Sequence, residues 1–110
     1  MQITEERKED VAVFRLEGRL DSNTAPQFEE RVFNGIHNGS RKMVVDFAQL
    51  DYISSAGLRV ILKATKELKR SQGAFVLCTM KDYVKEVFEI SGFDTFLPIY
   101  PTLNDALAEL

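Results

Sequence analysis

The sequence predicts an α/β fold in one domain spanning residues 1–110: a mixed, mostly parallel sheet with an N-terminal antiparallel edge strand and about four helices. Three observations carry this. Two short runs, Met43-Val44-Val45-Asp46-Phe47 and Ala74-Phe75-Val76-Leu77-Cys78, are almost continuously apolar, as strands buried on both faces are. Leu58, Ile61, Leu62, Thr65 and Leu68 recur at spacings of three and four, which places them on one face of a helix. The order of signals is strand, strand, helix, and then strand and helix in alternation to the end.

In chain order, Ile3–Arg7 reads as a weak strand, Lys8-Glu9-Asp10 as a turn, and Val11–Leu16 as a better strand. Together they form a hairpin whose charged first strand protects a sheet edge from pairing with other chains. The loop Gly18–Thr24 ends the second strand. Thr24 and Gln27 have capping-box spacing, and Pro26 is tolerated in a first turn. Phe28, Val32 and Ile36 mark the buried face of that helix, with Phe33 beside it; Asn34-Gly35 and Asn38-Gly39-Ser40 stop it.

Met43–Phe47 is the central strand. A loop, Leu50–Ile53, then leads to a helix that starts at Ser54 or Ser55 and ends by Ser71-Gln72-Gly73. After the strand Ala74–Cys78, Thr79 and Asp82 mark the next helix start. Val84, Val87 and Phe88 form its apolar side, and Gly92 is its expected left-handed end. Phe96–Ile99 reads as a short strand. Pro101-Thr102 opens the last helix, with Thr102 and Asp105 as cap and first-turn acid, and Leu103, Ala106, Leu107 and Leu110 facing the core.

Composition narrows the functional classes. Of 110 residues, 45% are hydrophobic and 28% charged, with a net charge of -3, so nothing favours direct nucleic-acid binding. No stretch is long enough for membrane insertion. The N-terminal residues lack the apolar core of a signal peptide, and a cytoplasmic location is expected. With one cysteine (Cys78) and one histidine (His37), a zinc site of the usual kind is implausible. Cys78 reads as a small buried hydrophobe. No dinucleotide fingerprint or phosphate-cradling loop occurs, and no cofactor is expected. Asp21, Asp46 and Asp51 fall at strand ends without a spacing that marks a metal or acid/base set. A serine nucleophile would need a base. His37 closes the preceding helix and is expected at the opposite sheet edge from Ser54 and Ser55. The sequence therefore reads as a binding protein rather than an enzyme.

The run Asp51–Val60 draws attention for another reason. The start of a helix has backbone N–H groups without partners, and its dipole favours negative charge. A serine there can simply cap the helix, or it can carry a phosphate that the same N–H groups tolerate. Position alone does not separate these roles.

Asp51-Tyr52-Ile53-Ser54-Ser55-Ala56-Gly57-Leu58-Arg59-Val60 resembles the signature of STAS domains, the bacterial anti-sigma factor antagonists. Gly18-Arg19-Leu20-Asp21 matches the family's Gly-x-Leu-Asp loop, Val44–Phe47 its central strand, and Gly92-Phe93 its third-helix end, so the resemblance covers nearly the whole chain. It implies a partner switch. The unphosphorylated protein would bind an anti-sigma factor with serine kinase activity and release the sigma factor. Phosphorylation would reverse this, and a phosphatase acting on phosphoserine would reset it. The resemblance puts the phosphoacceptor at Ser55 and the acidic loop residue at Asp21. It departs from the best-known members in having Ser54 before the acceptor, where they commonly have aspartate, and Ala56 after it, where they commonly have serine or threonine. Partner contacts are expected from Asp21, Ser22, Asn23, Thr24, Ser54, Ala56, Leu58 and Arg59. The alternatives are a non-switching STAS adaptor subunit of a lipid-transport or chemotaxis-like assembly, in which Ser55 only caps, and a small nucleotide-binding protein, for which no phosphate loop is present.

Overall fold

The computed structural model describes residues 1–110 and contains a five-stranded sheet in the order β1-β2-β3-β4-β5. The strands are β1 (Gln2–Lys8), β2 (Val11–Leu20), β3 (Lys42–Ile53), β4 (Ala74–Cys78) and β5 (Ile99–Tyr100). The helices are α1 (Ala25–His37), α2 (Ser55–Arg70), α3 (Asp82–Ser91) and α4 (Leu103–Ala108), with a single 3-10 turn at Phe93–Thr95. β1 is antiparallel to β2, and every other neighbouring pair is parallel, so the expected mixed sheet is present.

Strand order follows chain order, and this fixes the layers. Each parallel step moves the same way across the sheet. Right-handed crossovers then put α1, α2 and α3 on the same face. That face holds the main core, in which Phe14, Phe47, Leu50, Phe28, Ile61, Leu68 and Phe88 are all buried. Phe47 and Phe88 meet edge to face at 6.0 Å. α4 follows the last strand and folds back on the other face. There Ala106 packs against Val11, Val13, Val44, Val76 and Cys78, with Leu103, Leu107 and Leu110 around it. The apolar positions expected for all four helices therefore face the core, but on two sides of the sheet. Burial pushes the Cys78 thiol above its ordinary pKa, as suits a packing residue.

Four local expectations change. β2 does not stop at Leu16, and β3 does not stop at Phe47. Register shifts between Arg15 and Glu17 and between Gly18 and Arg19 carry the pair on to Leu20↔Ile53. The bulged stretch breaks strict alternation, and this hides the strand from a period-two reading. Leu50–Ile53 is consequently strand rather than loop. β4 pairs with β3 only as far as Asp46↔Cys78, so the ends of β2 and β3 run beyond the other strands as a two-stranded arm. Second, Thr24 is the N-cap of α1 but makes no side-chain cap bond, so the capping box does not form. Third, Thr79 does not start α3. It is held at φ 62°, its hydroxyl is buried without a partner, and Lys81 occupies the cap position. Fourth, β5 is not Phe96–Ile99. Phe96 is 54% exposed and Pro98 lacks an N–H, which leaves only Ile99–Tyr100 to pair. Gly92 at φ 80° and Thr102, which accepts from Asp105 N–H at 3.1 Å, cap their helices as expected. No helix is long and apolar enough to cross a membrane.

Candidate functional site

The two-stranded arm delivers two turns to one end of the sheet. β2 leads into the turn Asp21–Thr24, and β3 leads straight into α2 at Ser54. The backbone ties them together, because Ser54 N–H donates to the Leu20 carbonyl at 2.9 Å. Behind this junction lies Gly57. A Cβ there would stand 2.8 Å from Leu20 Cγ and 2.9 Å from Ile53 Cγ1. The glycine therefore lets α2 press against its own arm, and it is buried rather than open to a partner.

Ser54 is the N-cap of α2. Its backbone is extended, its carbonyl accepts from Leu58 N–H at 3.0 Å, and its hydroxyl accepts from Gly57 N–H at a long 3.5 Å. Ser55 is the first helical residue, with an exposed side chain. The capping role thus belongs to Ser54, and Ser55 is free of it. No acidic residue occupies the first turn of α2, so nothing within the helix offsets the positive end of its dipole.

The turn at Asp21 is tied more closely. One Asp21 carboxylate oxygen accepts from the N–H groups of Asn23 at 3.0 Å and Thr24 at 3.2 Å. The Thr24 hydroxyl donates to the Arg19 carbonyl at 2.8 Å and accepts from Asp21 N–H at 2.9 Å. Arg19 lies 3.7 Å from Asp21 and stacks 4.1 Å from the centre of the Tyr52 ring. Partial burial raises the Asp21 pKa, but these N–H groups, the Thr24 hydroxyl and Arg19 together hold it below the usual aspartate value.

The expected contact residues divide by position. Ser22, Asn23, Ser55 and Arg59 are exposed; Asp21, Thr24, Ser54 and Ala56 are half-buried. Leu58 is 8% exposed and belongs to the core. Its outer edge, with Ser55, Arg59, Leu62, Ser91 and Phe93, lines a shallow apolar recess of about 230 Å³ between the start of α2 and the end of α3. Leu62, Ser91 and Phe93 were not among the expected contacts. Gly92 is the only local signal for the last two, since a left-handed helix end turns the chain back toward α2 there.

The residues weighed for other chemistry do not assemble. Asp46 pairs with Arg15 at 3.6 Å, Asp51 hydrogen-bonds to Lys81, and Asp21 faces Arg19. No cluster of three His, Cys, Asp or Glu side chains is suited to a metal. His37 is exposed at the C-terminus of α1, next to the start of β3, whereas Ser55 lies past the end of β3. They are separated by the length of the strand, not by the width of the sheet.

Several known proteins share this arrangement. The sequence profile of the STAS domain matches residues 2–106. A Bordetella bronchiseptica protein, BtrV, assigned by name to the anti-sigma factor antagonists, is 43% identical over 104 residues, covering 94% of this chain and 87% of that protein. A Thermotoga maritima crystal structure assigned by name to the same antagonists superposes with a TM-score of 0.93 at 25% identity, over 97% of this chain and 92% of that one. The Bacillus anti-sigma factor antagonist SpoIIAA shares the fold both unphosphorylated (TM-score 0.77, 22% identity, 98% of this chain and 96% of that one) and phosphorylated (0.77, 23%, 98% of each).

Proposed function

The chain belongs to the STAS domain family, and on that premise we propose that it is an anti-sigma factor antagonist switched by phosphorylation at Ser55. Unphosphorylated, it binds an anti-sigma factor that is also a serine kinase, and the sigma factor is released. Phosphorylated, it lets go, and a phosphoserine phosphatase restores it.

One observation carries this reading. Ser55 is exposed at the first helical position while its neighbour Ser54 performs the capping. The acceptor can therefore be modified without removing a bond that holds α2. Its phosphate would add about 1.5 to 2 negative charges. The open N–H groups and dipole of α2 favour those charges in the free protein. A partner packed over the recess beside Ser55 would have to bury them, at a cost of several kcal/mol, where ~1.4 kcal/mol is already tenfold in affinity. Asp21, held ionised next to this junction, adds repulsion toward any acidic group of the partner. Contacts from Ser22, Asn23, Ala56 and Arg59 complete the proposed face.

The test is incubation of the purified protein with ATP and the serine kinases of its own organism, followed by intact mass and site mapping. One phosphate on Ser55 is expected. Ser55→Ala should keep kinase binding and lose modification, and Ser55→Asp should bind at least about tenfold more weakly. Failure of every kinase to modify Ser55, or equal binding by both variants, would favour a non-switching adaptor.

A further inference from the structure

A phosphate on Ser55 sits one helical turn before Arg59. Residues four apart on a helix are neighbours, with Cβ atoms about 5–6 Å apart, and an anion N-terminal to its cation is the favourable order. Helical side chains lean toward the N-terminus, so the patch that Arg59 covers lies over the turn holding Ser55. Both side chains are exposed, and both line the recess of about 230 Å³ between the start of α2 and the end of α3.

Arg59 is uncommitted. It takes part in no ion pair and no side-chain hydrogen bond, whereas Lys63, one turn further on, pairs with Glu29 at 2.6 Å. The carboxylates around it are engaged or turned elsewhere. Asp21 is matched by Arg19 at 3.7 Å, and Asp51 by Lys81. From α3 and the turn after it, Ser91 and Phe93 line the recess, while Glu89 and Asp94 beside them do not. The recess therefore holds one formal charge, the Arg59 guanidinium, and no carboxylate to neutralise it.

We propose that Arg59 is the internal counter-cation of phosphorylated Ser55. Its guanidinium donates to the phosphate oxygens across the recess, in the fork geometry that suits a phosphate. The inference rests on Ser55 as the acceptor and adds a second half to the switch. Phosphorylation does more than add an anion: it also turns inward a cation that the unphosphorylated face offers to a carboxylate of the partner. Arg59 is a positioning residue in this scheme, holding the phosphate over the recess on which the partner packs.

The test uses the full chain with phosphoserine installed in place of Ser55 during translation, so that it depends on no kinase. The phosphate, whose second ionisation normally falls near about pH 6, is titrated by phosphorus NMR. Salt is held at about 0.1 M, where charges more than about 10 Å apart are largely screened. His37 lies at the other end of β3 and does not face the phosphate. Arg59 favours the dianion, so the parent should titrate at least about 0.3 of a pH unit below the Arg59→Met variant. The Arg59 Nε–H resonance should move with the same midpoint, and Arg59→Lys should recover part of the difference. Lys69→Met, which removes an unpaired cation at the far end of α2, should leave the midpoint where it is. Equal midpoints for the parent and Arg59→Met, or an equal change from Lys69→Met, would overturn the pairing while leaving Ser55 as acceptor intact. Failure of every kinase to modify Ser55 would instead sink the switch and leave this titration unaffected.

Discussion

The N-termini of α1 and α2 sit side by side at the same end of the sheet and are built in opposite ways. At α1, the Asp21 carboxylate, the Thr24 hydroxyl and the backbone from Arg19 to Thr24 close on one another, with four side-chain hydrogen bonds between 2.8 and 3.2 Å. At α2, a single cap bond reaches 3.5 Å, and the next hydroxyl, Ser55, faces solvent. Both helix starts have the dipole, but their N–H groups differ: at α1 Pro26 has none and the Ala25 and Gln27 N–H groups donate to the Asp21 and Thr24 carbonyls. One satisfies them internally and becomes a fixed surface. The other leaves them partly open and remains available for chemistry. Holding the first rigid gives the second a defined neighbour.

This contrast can be broken at several points. The largest effect is expected where the two ends are pressed together. Gly57→Ala puts a methyl group within 3 Å of Leu20 and Ile53, so it should lose about 1–3 kcal/mol of unfolding free energy in a urea melt. An unchanged midpoint would mean that α2 is not clamped to the arm. Next is Asp21→Ala, which removes the acceptor for two N–H groups and should lower Tm by a few degrees while freeing the Asn23 and Thr24 amides to exchange. Ser54→Ala should cost less, about 0.5 kcal/mol, because its cap bond is long. Ser55→Ala should stay within about 0.5 kcal/mol of the parent. A Ser55→Ala loss larger than that of Ser54→Ala would reverse the assignment of cap and acceptor.

Acid offers the finest distinction. The folded-state pKa of Asp21 is depressed, so its stabilising contribution is complete above the unfolded-state pKa and disappears as pH falls through the folded value. The Tm difference between the parent and Asp21→Asn should be constant near neutrality and close below the ordinary aspartate range. A difference that widens on acidification would show that the carboxylate does not hold the turn. No comparable trend is expected for Ser54→Ala.

Much of this architecture is legible in the residues themselves. Phe28, Val32 and Ile36, and likewise Leu58, Ile61 and Leu68, repeat at helical spacing and are buried as that spacing requires. Gly92 and Thr102 act through local backbone geometry, and they sit where their chemistry points. The arm was less legible. Two register shifts displace Leu50 and Ile53 from strict alternation, so their burial looks like that of a loop until β2 is laid beside β3. The capping box at α1 fails for a related reason, although Thr24 does occupy the N-cap position. Thr24 has the spacing of a capping residue, but its hydroxyl donates to Arg19, a partner that only the bulged end of β2 brings within reach. At the candidate site, Ser54, Ser55 and Asp21 were visible as local motifs. Ser91 and Phe93 were not, because their place beside Ser55 depends on how α3 packs against α2.

The unbroken strand order has a further consequence, for how the molecule comes to exist. Each parallel strand pairs with the strand before it, so most loop closures are short, and short closures favour rapid folding. Both turns of the candidate site, together with Leu20, Ile53 and Gly57, lie within residues 18–58. During synthesis, these residues are made, and emerge from the ribosome, ahead of those of β4 and β5. The later strands and helices add the rest of the core, and the end of α3, with Ser91 and Phe93, completes the recess beside Ser55.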